Sequence, residues 1–147
     1  LEYIGPQLPM YNLNAKIIGN ENWQNKQILQ KENIGPHLKR LSIITNYFTS
    51  TMDTTKLEID ELDAYNHGYN TAQLLTQLSV DSPSRKSMTQ SLKSVEFYSG
   101  EGFYYSPDHL NPHVNAAFQV IHFNGNDFIP EGVLYDDSLH TVLSQNP

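Results

Sequence analysis

Cysteine is absent from this chain of 147 residues, which excludes disulfides, thiol nucleophiles and cysteine-ligated zinc. No apolar run approaches the roughly 18 residues that a membrane-spanning helix needs. No Lys or Arg occurs in residues 94–147, whereas seven carboxylates do: Glu96, Glu101, Asp108, Asp127, Glu131, Asp136 and Asp137. The nine Lys and Arg of residues 1–93 are matched by nine Asp and Glu, so the net charge of −7 sits wholly in the last third. Nucleic acid needs clustered cations to replace its counterions, and the distribution speaks against it and against an anionic membrane surface. Gly-x-Ser-x-Gly and phosphate-loop motifs are both missing, and Gly100-Glu101-Gly102 falls short of a dinucleotide fingerprint, so it reads as a bend in a strand.

What remains is a polar chain of about one domain, rich in Asn, Ser, Thr and Gln. The start, Leu1-Glu2-Tyr3, is no signal peptide and reads as cut or processed. Leu8 to Leu13 is expected as a short strand after the Gly5-Pro6 turn. Residues 19–36 are polar; Ile28 and Leu29 anchor one short helix there, ended by Gly35-Pro36. Trp23, the only tryptophan, either ties this stretch to the core or meets a partner. Leu41 to Thr45 is a β-branched run, expected as a buried strand leading into Asn46-Tyr47-Phe48, and the Thr-rich residues 49–59 read as a crossing loop.

The period then changes. Leu62, Tyr65, Tyr69, Ala72, Leu75 and Leu78 recur three or four apart, the stripe of an amphipathic helix, with Asp60, Glu61 and Asp63 suited to its first turn. Gly68 weakens that helix and implies a close neighbour. Asp81-Ser82-Pro83 is expected to start a second helix, buried through Met88, Leu92 and Val95. Glu96 to Tyr105 is strand-like. Ala117 to Phe123 and Asp127 to Tyr135 flank Asn124-Gly125, the signature of a hairpin with a type I′ turn, expected at a sheet edge. The last dozen residues read as a surface tail. The sum is an α/β fold: a mixed sheet with flanking helices and a C-terminal antiparallel hairpin.

Several phrases occur in a familiar order. They are Leu41-Ser42-Ile43-Ile44-Thr45-Asn46-Tyr47-Phe48, Tyr65-Asn66-His67-Gly68-Tyr69-Asn70-Thr71-Ala72 and Ser91-Leu92-Lys93-Ser94-Val95-Glu96-Phe97. Gly100-Glu101-Gly102, then Ser106-Pro107-Asp108-His109-Leu110-Asn111-Pro112-His113-Val114, then the hairpin Phe118 to Phe128 complete the set. This order resembles the C-terminal part of type-I periplasmic solute-binding proteins of the branched-chain amino acid, amide and urea uptake class. The resemblance implies part of a type-I periplasmic binding fold, with residues 1–48 in the second lobe, 49–95 forming a hinge crossing and helices of the first, and 96–147 a return strand, hairpin and tail. The family's fold is about twice as long, so the resemblance also implies a missing N-terminal part or a second chain completing it, and a lipid anchor on a missing N-terminus.

By resemblance, Tyr47 at the hinge and Tyr69 and Tyr65 on the following helix are ligand-binding, through ring stacking and hydroxyl hydrogen bonds. The residues alone allow another role for Tyr65 and Tyr69, as core side chains at i, i+4. His109 and His113 have helical ligand spacing, but Pro112 breaks the helix between them and His122 alternates with buried neighbours, so no metal site is expected and no cofactor is implied. Glu96, Glu101 and Asp108 do not define a hydrolytic pair. The expected function is non-enzymatic: extracytoplasmic binding of a small polar solute feeding a membrane permease of the ABC class. The alternative is an envelope sensor or protein-interaction domain that kept the fold without transport.

Overall fold

The computed structural model of the chain describes residues 3, 5, 7–11, 16–46, 59–81, 84–111 and 114–141. Its main sheet has five strands: β1 (Ile17–Asn20), β2 (Leu41–Thr45), β5 (Phe118–Phe123), β6 (Phe128–Tyr135) and β7 (Ser138–His140), side by side in the order β1-β2-β5-β6-β7. Strands β1 and β2 are parallel, and every other pairing is antiparallel. A second sheet of two short strands, β3 (Tyr98–Ser99) and β4 (Tyr104–Tyr105), stands apart. Among the described residues, four α-helices accompany them: α1 (Gln7–Met10), α2 (Lys26–Leu29), α3 (Ile59–Ser79) and α4 (Arg85–Lys93). The mixed α/β class with a mixed sheet is therefore as expected; the finer arrangement differs in several places.

A parallel pair needs a crossover, because the chain must return to the starting end of the sheet. Here the polar segment between β1 and β2 does this, and its few apolar residues carry the core. Leu29, Ile34 and Leu38 are buried against Leu41 and Ile43 of β2 and Ile121 and Phe123 of β5. Ile28 and Leu29 thus anchor the segment as expected, although α2 is a single turn, capped by Asn25, whose Oδ1 accepts the Ile28 N–H at 3.0 Å. Gly35 has a reason besides stopping a helix: a Cβ there would lie 2.3 Å from the carbonyl oxygen of Leu29.

The strand expected at Leu8 to Leu13 is not one over its described residues. Gln7–Met10 forms a helical turn closed by Tyr11 N–H donating to the Gln7 carbonyl at 3.2 Å. Pro9 has no N–H to give a ladder, and Met10 and Tyr11 are exposed, so neither adds to a sheet. The first strand is Ile17–Asn20 instead.

The hairpin β5–β6 is present, but in the middle of the sheet, where β2 and β7 cover its two sides. Its turn is also different. Phe123 pairs with Phe128, which leaves a four-residue loop, and Asn124 Oδ1 accepts the N–H groups of Asn126 at 2.9 Å and Asp127 at 2.8 Å. Only Gly125 is left-handed in that loop, at φ +104°. The two-residue turn with both central residues at positive φ lies at Asp136 (50°) and Asp137 (55°), between the paired residues Tyr135 and Ser138. That turn brings Ser138–His140 back as an edge strand, so this part of the expected tail belongs to the sheet.

The helix α3 is where expected, but it buries another face. Tyr65 is 61% exposed and Tyr69 41%, and Leu75 is exposed as well, whereas Asn66 and Asn70 are buried. The Asn70 carboxamide explains this. Its Oδ1 accepts the Glu101 N–H at 2.9 Å, and its Nδ2 donates to the carbonyls of Asn66 at 2.9 Å and Glu101 at 3.2 Å. Tyr98 OH donates to the Asn70 carbonyl at 3.4 Å, and His67 meets the edge of Phe103. The helix is therefore fixed to the β3–β4 turn by hydrogen bonds, and core packing is not the role of Tyr65 and Tyr69.

The close neighbour expected at Gly68 is absent: a Cβ there would meet nothing within 4 Å. Gly68→Ala should therefore raise stability by about 1 kcal/mol through helix propensity alone. Chemical denaturation would show the midpoint moving up at constant slope. The start of α4 also shifts. Ser84 caps it, in a reciprocal capping box with Ser87, three residues beyond Asp81. A box of two serines satisfies two otherwise free backbone donors. Met88, Leu92 and Val95 are half-buried there.

Among the described residues, no helix is long and apolar enough to cross a membrane. The acidic excess of the last third is partly neutralised across the fold: Glu131 of β6 pairs with Lys16 at 3.0 Å, and Asp127 pairs with Lys26.

Candidate functional site

In open α/β sheets, ligands bind outside the carboxyl ends of parallel strands, where the crossover and the strand ends leave a crevice. Among the described residues there is one parallel pair, and a cleft of about 590 Å³ opens at that end of it. Strand β1 ends on Asn20 and runs into a turn of 3₁₀ helix, Glu21–Trp23; strand β2 ends on Thr45 and is followed by Asn46. Asn20, Glu21, Thr45 and Asn46 supply the polar lining, and Trp23 and Phe118 the aromatic part. The volume suits a small molecule, and the mixture of apolar walls with a few convergent polar groups is the usual chemistry of such sites.

The backbone explains why these side chains meet. Gly19 lets Trp23 lie across β1, since a Cβ at Gly19 would stand 2.9 Å from two of the indole ring atoms. Trp23 also packs against the main core, so of the two roles left open for it the tie to the core is the one seen, and the same side chain lines the cleft. Phe118 begins β5, which runs antiparallel to β2, and so lies at the same end. Among the described lining residues, Glu21 is the only charged one, and it is exposed.

The expected site residues fall elsewhere or outside. Tyr47 lies beyond the described residues, two positions after Thr45 in the chain. Tyr65 and Tyr69 stack on one another on α3, with ring centroids 6.2 Å apart at an interplanar angle of 12°, and Gln73 Nε2 donates to Tyr69 OH at 3.0 Å. Neither lines the cleft as described. The cleft residues went unrecognised in the sequence, yet a signal is there. Ile17-Ile18-Gly19-Asn20 and Ile43-Ile44-Thr45-Asn46 have the same form, two isoleucines, a small residue and an asparagine, and both asparagines lie at the cleft.

A second cleft, of about 480 Å³, lies near the opposite end of β1 and β2 and is lined by Lys16, Arg40, His122, Ile129, Pro130 and Glu131. Glu131 is the extra residue of a β-bulge, since Ile121 pairs with Pro130 and Val120 with Gly132. Its carboxylate accepts from Lys16 Nζ at 3.0 Å and from Ser42 Oγ at 3.1 Å. The hydrogen bond from Lys16 is the main cause holding its pKa below the ordinary value, helped by Ser42 and by the charges of Lys16 and His122 and opposed by burial. A lowered folded value means that protons favour the unfolded chain. The stability from Glu131 is therefore complete above the ordinary glutamate value of 4.5 and is lost as pH falls through the lower folded value. Thermal melts should show Glu131→Gln with a flatter stability profile than the parent in that acidic window. The difference above it should stay within about 1 kcal/mol, because the pair is partly solvated.

His122 lies opposite Ser42 in register, on the face away from Ile121 and Phe123, as its alternation implied. His109 faces Asp136 at 3.5 Å with both side chains exposed, and His113 lies outside the described residues. Among the described residues, no group of three or more His, Asp or Glu is placed to hold a metal ion.

No family model matches this chain, and neither a curated protein nor a solved structure matches it.

Proposed function

We propose that the chain is an extracytoplasmic solute-binding module, part of a type-I periplasmic binding fold, that takes a small polar solute such as an amino acid, an amide or a urea-like compound and presents it to a membrane permease. One observation carries this reading: a cleft of about 590 Å³ at the carboxyl ends of the parallel strands, with Trp23 and Phe118 beside Asn20, Glu21, Thr45 and Asn46. The aromatic rings offer apolar and cation–π surface, and the amide, hydroxyl and carboxylate groups give directional partners to ammonium and amide hydrogens. On this reading binding is the activity, with no chemical step.

Thermal shift against amino acids, simple amides and urea tests the reading. A solute present at 100 times its Kd adds about 2.7 kcal/mol, which for a chain of this size raises Tm on the order of 5–10 °C. Absence of any shift at millimolar concentration would overturn it.

A second reading, a sensor or protein-interaction module, draws on α3 and the residue after it. Tyr65, Tyr69, Leu75 and Val80 are all exposed there and offer apolar contact area to a partner. In that case light scattering would show self-association or capture of a partner, Tyr65→Ser with Tyr69→Ser would abolish it, and no small solute would raise Tm.

A further inference from the structure

We infer that the second cleft, at the other end of β1 and β2, is a binding site for a small organic acid, whose carboxylate meets Arg40, Lys16 and His122 and whose short apolar chain covers Ile129 and Pro130. The inference does not depend on the solute-binding reading of the first cleft, and its test separates the two.

The strand register explains why these groups meet. Ile17 pairs with Leu41, and the Ile17 N–H donates to the Arg40 carbonyl at 3.2 Å, so Lys16 and Arg40 enter the sheet side by side. Side chains alternate between faces along a strand. Leu41 and Ile43 are buried in the main core, which gives Arg40 and Ser42 the other face. His122 stands opposite Ser42 and pairs on its other side with Ile129. Residues 94–147 hold no Lys or Arg, so β5 and β6 meet cations here only because the starts of β1 and β2 bring them.

Neighbouring strands lie about 4.8 Å apart, and like charges side by side on a sheet cost stability. The described lining holds two permanent cations, Lys16 and Arg40, and one carboxylate, Glu131. Two less one leaves a surplus of one positive charge, and protonation of His122 adds another. The carboxylate is already engaged. Both its oxygens accept from Lys16 Nζ, at 3.0 and 3.4 Å, and it accepts from Ser42 Oγ at 3.1 Å, on a residue only 1% exposed. Arg40 is exposed, and its guanidinium carries five N–H donors in a planar fork that matches a carboxylate. Ile129 supplies the second half of the ligand's chemistry. It is apolar yet 47% exposed, and it lines the cleft beside Pro130. A bare anion leaves that surface in water, whereas an acid with a short hydrocarbon chain covers it. The volume of about 480 Å³ is ample for such a molecule.

The test titrates the protein with butyrate, acetate and butyramide at constant pH and ionic strength, following the Ile129 methyl, His122 ring and Trp23 indole resonances. Butyrate is expected to give saturable shifts at Ile129 and His122 with one Kd on the order of millimolar, and none at Trp23. Acetate, which lacks two methylenes, should bind at least about threefold more weakly, and neutral butyramide at least about fivefold. Arg40→Gln should weaken butyrate by about fivefold. Absence of saturable shifts at Ile129 and His122, equal affinity for butyramide, or unchanged affinity in the variant overturns the inference. Equal affinity for acetate also overturns it, by showing a positive patch without a place for the chain. A butyrate shift at Trp23 alone puts the acid in the first cleft, which rejects this inference and leaves the solute-binding reading standing. Should the variant not fold, the three titrations of the parent decide.

Discussion

Asn70→Leu and Gly100→Ala are each expected to destabilise the fold by about 2–4 kcal/mol, and the two together by clearly less than their sum. The carboxamide of Asn70 is buried and makes three hydrogen bonds that join α3 to the turn between β3 and β4. Leucine at that place leaves the Glu101 N–H and two carbonyls without this partner, and unmatched buried groups cost about 1–3 kcal/mol each. Gly100 serves the same junction from the other side. A Cβ there would stand 2.0 Å from Asn70 Oδ1 and 2.9 Å from Tyr98 Cε1, so alanine must push the carboxamide off the Glu101 N–H. Once Asn70 is already replaced, that part of the alanine cost has nothing left to break. Urea denaturation of the four proteins gives the coupling, expected at 1 kcal/mol or more and on the order of that seen between contacting residues. Simple additivity would mean that the junction is not held by this side chain.

On the proposed reading, Glu21→Gln should weaken binding of an ammonium-bearing solute by roughly 2–5-fold, and that of a neutral amide by less. An exposed charge pair is worth about 0.2–1 kcal/mol, and the upper end converts to about fivefold. The side chain is exposed at the mouth of the cleft and is the only charged one among its described lining residues, so the substitution removes a charge without opening the core. Stability of the solute-free protein should be unchanged within about 0.5 kcal/mol. Calorimetric titration of the variant with glycine and with acetamide separates the two effects. Equal losses for both would place Glu21 in packing or general electrostatics and not in contact with the ammonium.

Some of this was readable in the residues, and the failures have physical causes. Strand β2 is a run of β-branched side chains buried on both faces, and such runs announce themselves. Helices α3 and α4 were visible through their period. The face that α3 buries was not, because two asparagines outcompete the apolar stripe: Asn70 satisfies three backbone groups of its neighbourhood, while Tyr65 and Tyr69 stack in solvent. Strand β1 is four residues at the edge of the sheet, with alternate side chains exposed, set in a polar segment, and so it carried no strong signal. The Asn-Gly pair marked a real hairpin and misjudged its turn, since the Asn124 side chain builds a four-residue loop by accepting two backbone N–H groups. The two-residue turn fell to Asp136 and Asp137, which tolerate positive φ less readily than glycine and therefore gave no warning of β7. The cleft was missed for a related reason. Its lining comes from strand ends that become neighbours only through the parallel pairing of β1 with β2, which no local pattern states. Trp23 and the repeated Ile-Ile-x-Asn form were the traces available.

Trp23 is the only tryptophan in the chain, and it lines the cleft, so its fluorescence reports on that place alone. Emission spectra recorded while a solute that raises Tm is titrated in therefore test the site directly. The expected result is a saturable change in Trp23 intensity or wavelength whose midpoint matches the calorimetric Kd. A solute that binds and stabilises the protein while Trp23 emission stays constant through saturation would contradict the assignment of the cleft.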